Sequence, residues 1–297
     1  MATSPSISIA IPSYNRRSSL ASLLAATVEQ LEDDDELIVV DDGSSDDSAQ
    51  EVLKFKRCRL IRHEVNQGMV RAWNACLSNA SRDWICIIHN DDRIAPGALD
   101  AVRAAARLAP EAGLIAHRHT PGEAGGWCAE VWKAGADAVL NSSLIPSGAA
   151  VRRSVVEAVG VFDERFAYST DIEYFARVTA RYDMVVIRSP QVVEYRLHDD
   201  NFQYATWRKP DFFEQLRKIE EAVMQHTGVT DERRDAWQDS RWTGYLSYMF
   251  KVASRLGDRR LLRKIAQELL TRPNVGRRLR ARALIADKTG WSPTLGL

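Results

Sequence analysis

The sequence predicts an α/β protein in which a Rossmann-like, mostly parallel β-sheet is flanked by helices and followed by an all-helical C-terminal region. In the first part of the chain, short runs rich in β-branched residues alternate with stretches whose apolar residues recur at helical spacing. From Asp211 onward only the helical pattern remains. This change predicts two domains, residues 1–205 and residues 206–297.

Five strands are predicted before Thr120, because each corresponds to a short apolar run bounded by polar or turn-forming residues. The runs cover residues 7–11, 37–40, 60–61, 84–88 and 113–117. Apolar residues three or four apart predict the helices between them, over residues 18–31, 45–55, 68–79 and 96–108. Beyond Thr120, paired glycine and proline residues indicate loops, and the pattern resumes as a strand, a helix and a strand over residues 149–152, 171–181 and 185–187. The C-terminal region is predicted as helices over residues 212–225, 231–256 and 258–270, followed by a basic stretch to Arg282.

The composition is that of an ordinary globular protein, with 27% charged and 45% hydrophobic residues in 297. It excludes collagen-like, disulfide-dense and mostly disordered classes. No apolar run approaches the roughly 18 residues needed to span a bilayer, and the first six residues lack the features of a secretory signal. Cys58, Cys76, Cys86 and Cys128 form no C-x-x-C pair, so they are interpreted as small buried residues of a reducing compartment. A cytoplasmic protein is expected.

The formal charge of zero conceals an asymmetry between the two regions. Residues 1–204 carry a net charge of −8 and residues 205–297 carry +8, with 12 basic and 3 acidic residues within 251–288. One interpretation of this basic stretch is a solvated helical face. The other is attraction to anionic lipid headgroups, worth about 1 kcal/mol per basic residue, which predicts peripheral contact with the inner face of a membrane. The helical region is also a candidate for packing and homo-oligomer contacts.

Polar clusters follow three of the predicted strands, at residues 12–16, 41–45 and 89–92. In open α/β sheets, ligands bind outside the carboxyl ends of the strands, so these clusters are candidates for one site. Adjacent carboxylates such as Asp91 and Asp92 repel each other, and a magnesium or manganese ion would relieve that repulsion. The alternative is that each cluster only forms a turn or caps a helix.

Taken together, four segments resemble the family 2 glycosyltransferases of the GT-A fold over roughly residues 7–205. They are IPSYNR at 11–16, VVDDGS at 39–44, NQG at 66–68 and NDD at 90–92. The resemblance implies a nucleotide-diphosphate sugar as donor, a divalent cation (Mn²⁺ or Mg²⁺), and a glycan or lipid-linked glycan as acceptor. Synthesis of surface polysaccharide or another glycoconjugate is the expected process, and no nucleic-acid partner is expected.

The resemblance also implies roles for individual residues. The base and ribose of the donor would be held by Pro12, Ser13, Tyr14, Asn15, Arg16 and Asp42. Beside the nucleotide would lie Asn66, Gly68 and Arg71, with Arg71 contacting phosphate. Asp91 and Asp92 correspond to the family's ribose and metal carboxylates, and Asp92 is the predicted metal ligand. The sequence departs from the D-x-D motif, because His89 or Asn90 stands where its first aspartate is often found. His198, in YRLHDDN, is a further predicted metal or phosphate ligand.

Asp171, in the segment STDIE, matches the position of the family's catalytic base. A helix N-cap is the alternative role, and the two roles are compatible. Glu173 is the second candidate for the base, whereas Asp163 and Glu164 are predicted to form the turn before Arg165. The expected reaction is a single displacement with inversion at the anomeric carbon, in which Asp171 removes the acceptor proton and a cation near Asp92 neutralises charge on the leaving diphosphate.

Acceptor recognition is predicted in the irregular residues 122–148, with Trp127 and Trp132 either stacking on sugars or packing in a core, and with Ser147-Gly148 lining the cleft. The segment His117-Arg118-His119 is predicted to be a solvated pair of histidines rather than a metal site. Two other functions compete. One is a non-catalytic nucleotide-sugar-binding relative with a scaffold role. The other is a nucleotidyltransferase, which is expected to have a glycine-rich loop after the first strand, and residues 12–16 contain no glycine.

Overall fold

A computed structural model describes residues 4–117, 126–140, 144–194, 202–272 and 275–290. Contacts divide the chain into two compact units, one of residues 1–199 with 214–227 and one of residues 200–213 with 228–297. Within the described ranges, no helix combines the length and the apolar character required to cross a bilayer.

The described strands are β1 (Ile7–Ser13), β2 (Glu36–Asp41), β3 (Cys58–Arg62), β4 (Trp84–Ile87), β5 (Arg93–Ile94), β6 (Leu114–His117), β7 (Cys128–Trp132), β8 (Ala150–Arg152), β9 (Met184–Ser189) and β10 (Val193–Glu194). The described helices are α1 (Arg17–Val28), α2 (Ser48–Val52), α3 (Met69–Asn79), α4 (Ala98–Leu108), α5 (Ala136–Leu140), α6 (Arg153–Val159), α7 (Thr170–Thr179), α8 (Phe202–Trp207), α9 (Phe212–Thr227), α10 (Asp231–Arg255), α11 (Arg259–Leu270) and α12 (Arg277–Thr289).

The first unit is built on an eight-stranded mixed sheet in the order β3-β2-β1-β4-β8-β6-β9-β7. Strands β3, β2, β1 and β4 are parallel neighbours, and β6 and β9 form a second parallel pair. Strand β8 runs antiparallel between β4 and β6, and β7 lies antiparallel to β9. A separate two-stranded antiparallel ladder joins β5 to β10. The mostly parallel sheet with flanking helices confirms the predicted fold class.

The central strands are buried on both faces, which explains why they read as continuous apolar runs. Ile9 and Ile11 of β1 face one hydrophobic cluster, to which α1 and α4 contribute. Ala10 faces the other, to which α3 and α7 contribute. Successive side chains of a strand point to opposite faces, so one strand supplies both layers of the core.

A buried ion pair lies where β1 begins. Asp35 accepts hydrogen bonds from the backbone N–H of Ile7 and of Glu32, at 2.9 Å each. Its carboxylate also contacts the guanidinium of Arg103, from α4, which is almost fully buried. Breaking a buried pair by removing one partner costs about 3–5 kcal/mol, so loss of Asp35 or of Arg103 alone is expected to destabilise the end of the sheet at which β1 begins.

Two of the differences from the sequence-based expectation have a clear local cause. Helix α2 begins at Ser48 rather than Ser45, because Asp46 accepts hydrogen bonds from the Ser48 N–H and hydroxyl ahead of the helix. Residues 128–132 were predicted to be irregular, but they form the edge strand β7. The side chains of β7 are exposed or only partly buried, so β7 lacks the apolar run that identified the central strands.

The second unit contains α8, α10, α11 and α12, which confirms a helical C-terminal region. Its core includes the aromatic residues Trp207, Trp242 and Phe250, which are buried. The indole N–H of Trp207 donates to the hydroxyl of Tyr245 at 3.0 Å. These buried aromatic side chains fit the packing role predicted for the helical region.

Candidate functional site

The loop after β1 is joined to the loop after β2 by hydrogen bonds around Asn15. Asn15 has a φ of 50°, the left-handed conformation that asparagine tolerates better than most residues. Its N–H donates to the Ser44 hydroxyl at 2.9 Å, and its side-chain oxygen accepts from the N–H of Ser45 at 2.8 Å and of Asp46 at 3.3 Å. Tyr14 is exposed beside it. The two predicted nucleotide segments therefore form one surface.

Asp42 is buried, and its carboxylate fixes the loop that precedes α3. It accepts hydrogen bonds from the N–H of Gln67 and of Gly68, at 2.9 Å each, and its Oδ1 lies 2.7 Å from Nδ1 of His63. Sequence reasoning did not identify His63, which follows β3 as an isolated histidine. Asp42 thus shapes the segment that contains Asn66 and Gly68, whether or not it also contacts a base.

Gly43 brings the same two loops into direct backbone contact. A Cβ at this position would lie 2.6 Å from the carbonyl carbon of Val65 and 2.7 Å from the nitrogen of Asn66, and the φ of Gly43 is +73°. Both the close approach and the positive φ require glycine. Asn66 is exposed at the surface of this contact.

Arg71 lies in the first turn of α3 and is exposed, as a phosphate-binding residue should be. Its Nε donates to Oε2 of Glu164 at 2.9 Å, and both side chains are more than half exposed. Such an exposed pair contributes at most about 1 kcal/mol. Arg71 can therefore exchange Glu164 for an anionic ligand at small cost.

His89, Asp91 and Asp92 lie together after β4, with one candidate ligand atom from each within 4.8 Å of the others. The side-chain amide nitrogen of Asn90, between them in the sequence, donates to the Ser13 hydroxyl at 3.2 Å. His89 therefore accompanies the two carboxylates.

The environment of His89 fits a divalent cation. Its imidazole stacks on the indole of Trp73, with ring centroids 5.0 Å apart, and its backbone N–H donates to the Ser147 hydroxyl at 3.0 Å. Among the residues that the structure describes, its buried Nε2 has no hydrogen-bond partner. Carboxylate oxygens suit Mg²⁺ and Mn²⁺, and imidazole favours the transition metals. The predicted ligand His198 lies outside the described residues.

Asp171 and Glu173 occupy different environments on α7. Asp171 lies in the first turn and is partly buried. The N-cap position belongs to Ser169, with a φ of 51°, so the N-cap interpretation of Asp171 is wrong. An acidic residue in the first turn is favoured by the helix dipole, and the role of Asp171 as the base stays a prediction.

Glu173 is almost fully buried and is held by Arg177 and His226. Arg177 donates to both of its carboxylate oxygens, from Nε at 2.9 Å and from Nη2 at 3.0 Å, and Nε2 of His226 lies 3.1 Å from Oε1. Arg177 also donates to the carbonyls of Val159 and Val161. Glu173, Arg177 and His226 line one pocket, and the Glu173 carboxylate is already paired there, which favours a structural role in the packing of α7.

Asp163 forms the predicted turn, whereas Glu164 does not contribute its side chain to it. The Asp163 carboxylate accepts hydrogen bonds from the N–H of Arg165 at 2.9 Å and from the Arg165 guanidinium. The hydrogen bond from the guanidinium lowers the pKa of Asp163 below its ordinary value. The Glu164 side chain instead pairs with Arg71.

The predicted acceptor residues fall into exposed and buried positions. Trp127 is 43% exposed, whereas Trp132 packs against the hydrophobic core. Ser147 is fully buried and supports His89. His117 was expected to be solvated, but it is buried, with Nε2 2.7 Å from the Ser147 carbonyl oxygen. Arg118 and His119 lie outside the described residues.

A mixed sheet of this order, with polar loops at the carboxyl ends of its parallel strands and an acidic group after β4, defines a GT-A-fold glycosyltransferase. The sequence pattern of glycosyl transferase family 2 matches residues 8–160, which is more than half of the chain. The chain belongs to this family.

Solved structures share the fold. S. aureus TarS 1–349 in complex with UDP-GlcNAc is 18% identical, with a TM-score of 0.66 over 96% of this chain and 89% of that one. Mannosyltransferase PcManGT from Pyrobaculum calidifontis, in complex with GDP-Man and Mn²⁺, is 16% identical, with a TM-score of 0.54 over 95% and 84%. Glucosyl-3-phosphoglycerate synthase from Mycobacterium tuberculosis, in complex with Mn²⁺, UDP and glucosyl-3-phosphoglycerate, is 16% identical, with a TM-score of 0.52 over 76% and 81%.

The chain spans 54% of a longer S. aureus TarS structure. No curated protein sequence matches it.

Proposed function

We propose that the protein transfers a sugar from a nucleotide-diphosphate donor to a hydroxyl of a glycan or lipid-linked glycan, with inversion at the anomeric carbon. The observation that carries the proposal is the meeting of the loops after β1, β2 and β4, the last of which contains His89, Asp91 and Asp92. We assign this activity to residues 1–205, and packing or oligomer contacts to residues 206–297. Synthesis of surface polysaccharide or another glycoconjugate fits a transferase of this kind.

In this proposal the donor lies along the joined loops. Tyr14 and Asn15 are exposed and lie where a base and ribose would bind, together with Pro12, Ser13, Arg16 and Asp42. Arg71 would leave Glu164 to contact the diphosphate, which also lies near the N-terminal end of α3. Helix N-termini favour anions because their N–H groups carry partial positive charge. The donors named in the TarS and PcManGT structures support this assignment.

Asp91 and Asp92, together with His89, would hold Mn²⁺ or Mg²⁺, with Asp91 also near the ribose and His198 as a further predicted ligand. When bound, a divalent cation neutralises charge on the leaving diphosphate. The donor set favours this use, since two carboxylates and an imidazole converge within 4.8 Å.

Asp171 is the proposed base. Asp171 is partly buried in the first turn of α7, whereas Glu173 is almost fully buried and is ion-paired to Arg177. A carboxylate base removes the proton of the acceptor hydroxyl as its oxygen attacks, which contributes about 10²–10⁴-fold to the rate.

The proposal is tested by calorimetry with UDP, GDP and their sugars, with and without Mn²⁺. Tight binding of one nucleotide sugar that requires Mn²⁺, and that is lost in Asp92→Ala, is expected. The released product should then show inverted anomeric configuration by NMR. Donor binding without turnover on any hydroxyl acceptor would favour a non-catalytic relative, and binding of no nucleotide would refute the proposal.

A further inference from the structure

Helix α12 presents a face to solvent that is both basic and apolar. Leu284 is 50% exposed and Ile285 is 40% exposed, and the exposed residues Arg277, Arg278 and Lys288 lie on the same side of the helix. Arg277, Leu284, Ile285 and Lys288 follow the spacing i, i+7, i+8 and i+11, which places them on one stripe. We call these five residues the α12 face. The opposite side of the helix is buried through Ala283 and Ala286.

The cations of the α12 face are not neutralised by neighbouring acids. Among the described residues, Arg277, Arg278 and Lys288 form no ion pair. The acidic residue of this helix, Asp287, is partly buried and accepts a hydrogen bond from Gln267 of α11 at 2.9 Å. The exposed stripe therefore carries positive charge alone.

Two other arginines of α12 have structural roles, which separates them from the α12 face. Arg280 donates to the carbonyls of Arg272 and Leu270 near the end of α11, and the guanidinium of Arg282 lies 5.6 Å from the ring centroid of the buried Phe250. The exposed cations remain for contact with something outside this helical unit.

Helix α11 extends the positive surface at the end of α12. A Cβ placed on Gly290 would lie 3.1 Å from Cβ of Arg259 and 3.1 Å from Nε of Arg263, so both arginines lie beside the C-terminal end of α12. Both are exposed and form no ion pair among the described residues.

We propose that the α12 face docks the protein on an anionic bilayer surface. Charge complementarity selects a surface rich in phosphate groups, because every exposed ionic group of the α12 face is a cation. The two exposed branched side chains between those cations select a bilayer over a soluble polyanion, since only the acyl boundary of a bilayer gains from burying them. Docking through the α12 face is a separate property from the proposed sugar transfer and does not depend on it.

Co-sedimentation of the full chain with vesicles tests the proposal. The chain should bind vesicles of phosphatidylcholine containing about one third phosphatidylglycerol, should bind phosphatidylcholine alone weakly, and should release with rising salt. Removing three cations in R277A/R278A/K288A should weaken binding about 100-fold, at about fivefold per charge. L284S/I285S should weaken it about tenfold through lost apolar contact alone.

Two variants control for charge and hydrophobicity elsewhere, one by removing two cations and the other by removing two apolar side chains. K56A/R107A removes exposed cations, and L53S/L108S removes exposed leucines that are 71% and 45% accessible, all from the other unit. Both should bind vesicles as the unaltered chain does.

Three results would overturn the proposal. They are equal binding to both vesicle types, wild-type binding by the α12 variants, and equal losses in the control variants. A polyanion site would be indicated instead by two results together. Soluble polyphosphate would compete equally well against the unaltered chain and L284S/I285S, and L284S/I285S would still bind vesicles at full strength. All variants should retain the melting temperature and the nucleotide binding of the unaltered chain, so failure here is distinguishable from failure of the proposed function.

Discussion

Asp171 and Glu173 are two residues apart on α7. The structure predicts that neutralising Asp171 lowers the turnover, whereas neutralising Glu173 lowers the stability of the fold. Asp171→Asn keeps the shape of a partly buried side chain in the first turn and removes its ability to take a proton. Turnover should fall about 10²–10⁴-fold, equivalent to about 3–5 kcal/mol of activation free energy. The affinity for the donor nucleotide should stay within about threefold, because the base contacts the acceptor rather than the nucleotide.

Glu173→Gln should instead destabilise the fold. Glu173 accepts two hydrogen bonds from Arg177 and lies 3.1 Å from His226. Hydrogen bonds to charged groups contribute about 1.5–3 kcal/mol each, and glutamine keeps one acceptor oxygen, so a loss of about 2–3 kcal/mol is expected. A loss of this size lowers the melting temperature of a domain of 150–250 residues by about 5–10 °C.

Differential scanning fluorimetry and release of nucleotide from the best-binding donor measure the two effects on the same samples. The two variants should show a crossing pattern, with Asp171→Asn stable but slow, and Glu173→Gln less stable but active per folded molecule. Turnover of Asp171→Asn within tenfold of the unaltered enzyme would refute the assignment of the base. A slow but fully stable Glu173→Gln would refute the structural role of Glu173.

Three further predictions concern the site and its thiols. His89→Asp should reduce the preference for Mn²⁺ over Mg²⁺, because imidazole favours the transition metal. Calorimetry with each metal alone measures the ratio of the two affinities, and an unchanged ratio would contradict the role of His89. Glu164→Gln should tighten nucleoside-diphosphate binding up to about fivefold by releasing Arg71 from an exposed ion pair; fluorescence titration measures it, and unchanged or weaker binding would contradict it. Burial raises the pKa of Cys58 to about 12, so at pH 8 its thiol should resist iodoacetamide while the exposed thiol of Cys128 reacts; mass spectrometry identifies the labelled cysteine, and rapid labelling of Cys58 would contradict the prediction.

The sequence was sufficient for the central strands and for the grouping of the site loops. Strands β1, β2 and β4 are buried on both faces, so their apolar runs were unmistakable, and the residues that follow them could be assigned to one edge of a sheet. The edge strand β7 was missed, because its exposed or partly buried side chains form no continuous apolar run in the sequence.

Side-chain partners depend on contacts between distant residues, and sequence spacing does not contain them. The stacking of Trp73 on His89 joins a helix to a strand-end loop. The buried position of His117 depends on the carbonyl of Ser147. The exposure of Cys128 follows from its place in the edge strand. A pattern of residue types predicts which residues lie near one another, but it does not predict which side chains contact each other.

Strand β1 separates the chemistry of the protein from its stability. Its first residue, Ile7, donates to Asp35 of the buried Asp35–Arg103 pair, and its last residue, Ser13, contacts Asn90 beside the candidate metal group. Seven residues of strand place these two ends about 20 Å apart. Loops at the Ser13 end can therefore be exchanged between relatives, and donor preference can diverge, while the folding of the sheet remains secured at the Ile7 end.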